Sequence, residues 1–277
     1  MEKNFTADGI LLCTESFGNP RDPALLLIMG AMSSMIWWDE EFCRLLAGRG
    51  RFVIRFDNRD TGQSQTYEPG KPRYTVDDMA DDCIRVLDFW NVEGAHFLGM
   101  SLGGMLAQIA ALKHPGRVRA LTCLASRIWG HVSPPPPKTS PEILKIYDLA
   151  RALNWADKET VIEYMTAIGR LFSGKGRVFN EKRHRELAEF EFERAGDLRA
   201  LQNYPLLGGG RNWWNRASEI RVPVTVIHGT DDRVLPLLHG EAIAKTIPGA
   251  KLVILDGAGH GHHRDDWNKI ADAITVI

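Results

Sequence analysis

The sequence predicts an α/β fold: a mostly parallel central sheet flanked by helices, with a helical cap inserted between late strands. Three observations predict it. Short apolar runs fail to alternate, as strands covered on both faces do. Helix-length segments separate those runs, and strand alternating with helix implies parallel pairing. Finally, the stretch between Arg127 and Ser218 carries helical pattern and no convincing strand.

Asp8-Gly9, a two-residue turn accepting positive φ, joins residues 4–7 to 10–14, so the chain opens on a hairpin. The apolar runs then follow at 24–29, 52–56, 95–98, 121–125, 222–227 and 252–255. Between them, helices are expected over 39–47, 75–90, 102–114 and 239–247; the second carries apolar residues at 76, 79, 80, 83, 84, 87 and 90, a 3.6-residue stripe. Pro134 to Pro137 makes a stiff connector, after which helical patterns run over 141–153, 157–172 and 181–194. This divides the chain into a core, 1–127 with 219–277, and a cap or lid, 128–218.

The composition excludes several classes. Among 277 residues Lys plus Arg is 34 and Asp plus Glu 35, giving a formal charge of −1 with no long run of one sign, which argues against a nucleic-acid partner. An apolar fraction of 44% and a charged fraction of 25% exclude disorder and coiled coil. The apolar run Ala24 to Met29 is far shorter than the roughly 20 residues of a membrane span, and no signal-like segment opens the chain. Cys13, Cys43, Cys83 and Cys123 form no Cys-x-x-Cys pair, so the expectation is four buried free thiols in a reducing cytoplasm, with no cofactor and no metal.

The chemistry concentrates at three places. His96-Phe97-Leu98 runs into Gly99-Met100-Ser101-Leu102-Gly103-Gly104, and a helix begins at once. A strand-to-helix turn this tight needs small residues two before and two after its centre, so that a serine on strained backbone exposes Oγ. A serine nucleophile needs a base, and the base an orienting acid. Loops after later strands offer both: Gly229-Thr230-Asp231-Asp232 and Asp256-Gly257-Ala258-Gly259-His260. Asp231 and Asp232 compete as the acid. Asp232, at the loop tip, is favoured, with Asp231 read as a turn residue bonding its own backbone. His260 is the expected base, while His262 and His263 lack metal-ligand spacing and are read as surface or rim residues. His114 and His228 are read as structural. The oxyanion needs two backbone N–H donors, which assigns Leu102, just after the serine, and Ala31 in Met29-Gly30-Ala31-Met32.

Gly99-Met100-Ser101-Leu102-Gly103 with Asp232 and His260 resembles the triad of the α/β-hydrolase superfamily. The segments Asp22 to Gly30 and Phe56-Asp57-Asn58-Arg59-Asp60-Thr61-Gly62-Gln63-Ser64 resemble more narrowly the aclacinomycin methylesterase-like branch, which includes serine esterases that open macrolide antibiotics. Asp60 departs from the glycine of the wider superfamily and matches this branch. The resemblance implies a serine carboxylic-ester hydrolase; a serine at the elbow disfavours epoxide hydrolases and dehalogenases, which use aspartate there. A ligand-binding relative without chemistry is the competing class.

Six of the eight tryptophans, among them Trp37, Trp129, Trp155 and Trp214, fall on the oxyanion loop or the insertion. With Met32 and Met100, these four are the candidate substrate contacts, and with Phe172, Phe179, Phe190 and Phe192 they imply a broad apolar pocket. For any single tryptophan, packing cap against core is the competing role. The expected partner is therefore a large apolar ester. First among the expectations is the ring ester of a macrolide, whose opening confers resistance; the alternatives are an anthracycline-type methyl ester or a general carboxylesterase substrate.

Overall fold

The computed structural model describes residues 1–274. β1 (Lys3–Ala7) and β2 (Ile10–Phe17) form the opening hairpin, with Asp8 and Gly9 at φ 50° and 79°. β3 (Ala24–Ile28), β4 (Phe52–Phe56), β5 (Ala95–Met100), β6 (Val118–Leu124), β7 (Val224–Gly229) and β8 (Lys251–Leu255) complete an 8-stranded sheet in the order β1-β2-β4-β3-β5-β6-β7-β8. β1–β2 and β2–β4 pair antiparallel and every other pair is parallel.

Alternation along each central strand divides the core in two. Leu26, Ile28, Ile54 and Phe97 pack with α2 (Val76–Phe89) and α3 (Leu102–Lys113), whereas Leu25, Leu27, Val53 and Leu98 pack with α1 (Glu40–Gly48) and with a later helix over Trp267–Ala273. Both sets are apolar, so these strands read as continuous runs. Local signals start the helices: Thr75 and Asp78 form a reciprocal capping box on α2.

Between β6 and β7 stand α4 (Pro141–Ala152), α5 (Lys158–Phe172) and α6 (Glu181–Arg194). Lys158 pairs with Glu189 and Glu193 at 2.7 and 2.8 Å, and Arg170 with Glu181, so α5 and α6 run antiparallel. The connector after β6 is pinned to the loop after β7, where the Thr139 hydroxyl donates to the Val234 carbonyl at 2.8 Å. α7 (Leu238–Thr246) and α8 (Trp267–Ala273) close the chain.

The structure departs from the sequence expectations at several elements, among them β6, β8 and α8. β6 begins at Val118, three residues earlier than its apolar run, because exposed Arg119 interrupts the pattern without interrupting the strand. β8 is covered incompletely: it is the edge strand, and Ile254 is 41% exposed. α8 was not expected, since Trp-Asn-Lys-Ile-Ala-Asp-Ala is too short to establish a helical period. All four cysteines are buried and free, and burial pushes the Cys13, Cys43 and Cys123 thiols up to about 12. No helix among the described residues is long and apolar enough to cross a membrane. The carboxyl ends of β3, β4, β5, β7 and β8 lie on one edge, where crevices of open α/β sheets form.

Candidate active site

Ser101 stands between β5 and α3 at φ 52° and ψ −116°, a conformation costing a non-glycine residue about 1–3 kcal/mol. The turn around it supports that strain. The Ser101 N–H donates to the Leu124 carbonyl at 2.9 Å, and its carbonyl accepts from the Ser126 hydroxyl at 2.7 Å. A Cβ on Gly99 would strike the Gly103 backbone, and one on Gly103 would strike the Ile28 carbonyl, so both glycines are required by close approach. The loop after β3 also passes here: a Cβ on Gly30 would lie 3.2 Å from the Ser101 Cβ. Ser101 and Leu102 are half-buried, and Ala31 is exposed.

On the loop after β8, His260 Nδ1 lies 2.7 Å from Oδ2 of Asp232, which stands on the loop after β7. An ionised carboxylate only accepts, so Nδ1 carries the proton and Nε2 the basic lone pair. Asp232 Oδ1 accepts from the N–H groups of Val234 and Leu235 at 2.9 and 2.8 Å, which fixes the carboxylate plane. Burial opposes its charge, yet the charge and hydrogen bonds of the His260 and His228 imidazoles hold the Asp232 carboxyl well below the usual carboxylate range. His228, read from sequence as structural, is thus a second neighbour of the acid: its Nε2 donates to the Leu235 carbonyl at 2.6 Å and stands 3.3 Å from Asp232 Oδ2. Only its place at the end of β7, four residues before Asp232, hinted at this.

The insertion grips the His260 loop. The His260 and Gly259 N–H groups donate to the carbonyls of Phe172 and Ser173 at 2.7 and 3.2 Å, and the Phe172 ring meets the His260 ring edge-on at 5.2 Å. Asp231, expected to bond its own turn, instead accepts from the Lys175 N–H across this junction. The structure therefore separates the two competing acids, with Asp232 on the imidazole and Asp231 on the insertion. The histidine run disperses likewise. His262 packs against the Trp38 and Phe42 rings, while His263 Nε2 donates to the Val178 carbonyl at 3.0 Å. Among the described residues, no three of His, Cys, Asp and Glu stand together as metal ligands.

The candidate substrate contacts divide. Met100 is the neighbour of Ser101, and a Cβ on Gly261 would lie 3.8 Å from its Cε. Met32 sits on the loop after β3 at φ 61°. Trp37 lies on the same loop and packs against His184 of α6 at 4.9 Å. Trp155 is buried inside the insertion, edge-on to Tyr164, with its indole on the Ala150 carbonyl at 3.1 Å. Trp129 and Trp214 pack edge-on to each other at 5.3 Å, and Trp129 donates to the Gly210 carbonyl, so this pair ties the two ends of the insertion together. Of the four phenylalanines, Phe172 reaches His260 and Phe190 is 49% exposed.

The model of one protein family, described as serine aminopeptidase, S33, matches residues 19–266. Rhodomycin D methylesterase DauP of Streptomyces sp. (strain C5) is 33% identical over 92% of this chain and 90% of its own length. Rhodomycin D methylesterase DnrP of Streptomyces peucetius is 33% identical over the same shares. Among solved structures, a 2-hydroxy-6-oxo-6-phenylhexa-2,4-dienoate hydrolase from Rhodococcus sp. strain RHA1 superposes with a TM-score of 0.77, at 20% identity over 98% of this chain and 96% of that one. Esterase RhEst1 from Rhodococcus sp. ECU1013 follows at 0.76, with 21% identity over 97% and 94%. These two show the shared fold. The family match over most of the chain, joined to a serine elbow and a paired acid and imidazole on one sheet edge, establishes that the chain belongs to the serine aminopeptidase S33 family of α/β-hydrolases and is a carboxylic-ester hydrolase.

Proposed function

We propose that the protein is a serine esterase that removes a methyl group from the carboxylic ester of a polycyclic, anthracycline-type polyketide. Ser101 Oγ attacks the ester carbonyl carbon while His260 Nε2 takes its proton, and Asp232 orients and stabilises the imidazolium. The N–H groups of Leu102 and Ala31 receive the oxyanion. Methanol leaves with the proton from His260; water then attacks the acyl-enzyme through the same base and releases the free acid. Residues 128–218 form the cap over this site, with Met32, Trp37 and Met100 beside the substrate.

The observation that carries the mechanism is the 2.7 Å pairing of His260 with Asp232 on the same sheet edge as the strained Ser101 turn. The two methylesterases at 33% identity support the leaving group, and they move the reading from a macrolactone to a methyl ester. The purified protein, incubated with an anthracycline methyl ester, is expected to release methanol and a product lighter by one methylene. Ser101→Ala is expected to lower turnover by several orders of magnitude. A macrolide made heavier by one water, beside an untouched methyl ester, restores the macrolactone reading.

A further inference from the structure

We propose that Glu191, on cap helix α6, is a positioning residue for the oxyanion loop, anchoring it through Ser34 so that the Ala31 N–H stays directed at the reacting carbonyl. The proposal rests on the reading of Ser101 as nucleophile and Ala31 as oxyanion donor.

Glu191 and Arg194 lie three residues apart on one face of α6, and both are buried. Glu191 meets the loop after β3 directly, and Arg194 meets it through Asp57. The Ser34 hydroxyl, fully buried, donates to Glu191 Oε2. Arg194 Nη2 binds Asp57 Oδ2 at 2.7 Å, and Asp57 Oδ1 accepts from the Met35 N–H at 2.8 Å. Helix α6 thus grips the loop at Ser34 directly and at Met35 through Asp57.

The loop needs such a grip. Ala31 is exposed, and Met32, though its side chain packs against the core, holds φ 61°, so the segment between Gly30 and Ser34 carries a conformation its residues resist. An anchor a few residues from a donor matters because removing one oxyanion donor costs about 10²–10³ in kcat. A buried carboxylate is also an expensive way to fill space: desolvation pushes Glu191 up to about 7, against the Ser34 hydrogen bond, with Asp57 adding to the rise and Arg194 opposing it. An apolar side chain would pack there without that cost.

The test compares Glu191→Ala with wild type on a p-nitrophenyl ester and on an aryl trifluoromethyl ketone. Ser101 Oγ adds to the ketone carbon, the carbonyl oxygen becomes the oxyanion, and the hydroxyl proton passes to His260. The expected result is a loss of about tenfold or more in kcat, an equal loss in ketone affinity, and unchanged ester binding measured in a Ser101→Ala background. Glu191→Gln, which keeps an acceptor for Ser34, recovers most of the loss. Retention of kcat and ketone affinity within about twofold overturns the proposal, and so does a loss of ground-state binding as large as the loss of ketone affinity. If Glu191→Ala fails to fold, Ser34→Ala, which removes only the donor, is measured identically and decides. A dead Ser101→Ala enzyme beside unaffected Glu191 and Ser34 variants removes only the positioning role; an active Ser101→Ala enzyme removes the nucleophile itself.

Discussion

Asp232 spends both carboxylate oxygens: one orients on two backbone N–H groups and the other holds the His260 proton. Asp232→Asn is therefore expected to lower kcat by about 10⁴ by favouring the wrong imidazole tautomer. Asp231→Ala removes only the acceptor for Lys175; it should keep kcat within about tenfold and lower stability by about 1 kcal/mol, read as a shift in the denaturation midpoint. The reverse ranking of kcat exchanges the roles of the two acids. The loop-tip position favours Asp232 in the sequence, and the turn after β7 puts it on the imidazole. Glu191 gives a second prediction, in pH. Its carboxyl sits at about 7 when folded against an ordinary 4.5, so the folded chain holds the extra proton between those values. Its contribution is complete below 4.5 and is lost as pH rises through 7. Relative to wild type, Glu191→Gln should gain roughly 3 kcal/mol of stability between pH 4.5 and 7.5; parallel denaturation curves at the two pH values contradict this.

Helix α3 shows how an element can be legible in the chain while its placement is not. The apolar run from Met105 and the flanking glycines predict a buried helix starting after a serine, and α3 starts at Leu102. That Gly103 must touch β3 follows only from the assembled sheet, where its α-carbon faces the Ile28 carbonyl. Gly103→Ala should cost about 1–3 kcal/mol or more by forcing helix and strand apart, with activity falling alongside as Ser101 moves. A full-strength thermal transition in that variant contradicts the close packing. Helix α6 is the opposite case. Its charged sequence, Arg185-Glu186-Leu187-Ala188-Glu189-Phe190-Glu191-Phe192-Glu193-Arg194, predicts a helix but does not distinguish buried Glu191 from exposed Glu189, because only the position of the loop after β3 makes one of them interior.

Across the molecule, two buried imidazoles weaken the fold in acid. Burial lowers His184 to about 4, where it packs between Trp37 and Phe179, and lowers His262 to about 4 under the Trp38 and Phe42 rings. At these two sites the unfolded chain binds more protons than the folded one between an ordinary 6.5 and about 4, so their contribution to stability should fall as pH drops through that window, against the opposite contribution of Glu191. Both rings keep some solvent contact, which discounts the effect to about 1–2 kcal/mol each. Replacing His184 with Gln should remove its share, seen as a shallower loss of denaturation midpoint between pH 6.5 and 4.5; an unchanged slope contradicts the assignment.

Local chemistry is legible in the chain: the hairpin at Asp8-Gly9, the runs that become parallel strands, the serine turn, and the order of serine, acid and histidine. These are short-range properties, set by side-chain period, backbone freedom at glycine and turn chemistry. Packing turned the favoured Asp232 into the partner of His260, and it alone brought His228 to them, set Trp155, Trp129 and Trp214 within or beside the insertion, and carried Glu191 to the loop after β3 and Arg194 to Asp57. Each of these pairings joins segments distant in sequence or depends on which way a loop turns. Burial and hydrogen-bond satisfaction decide them, and both are properties of the packed chain.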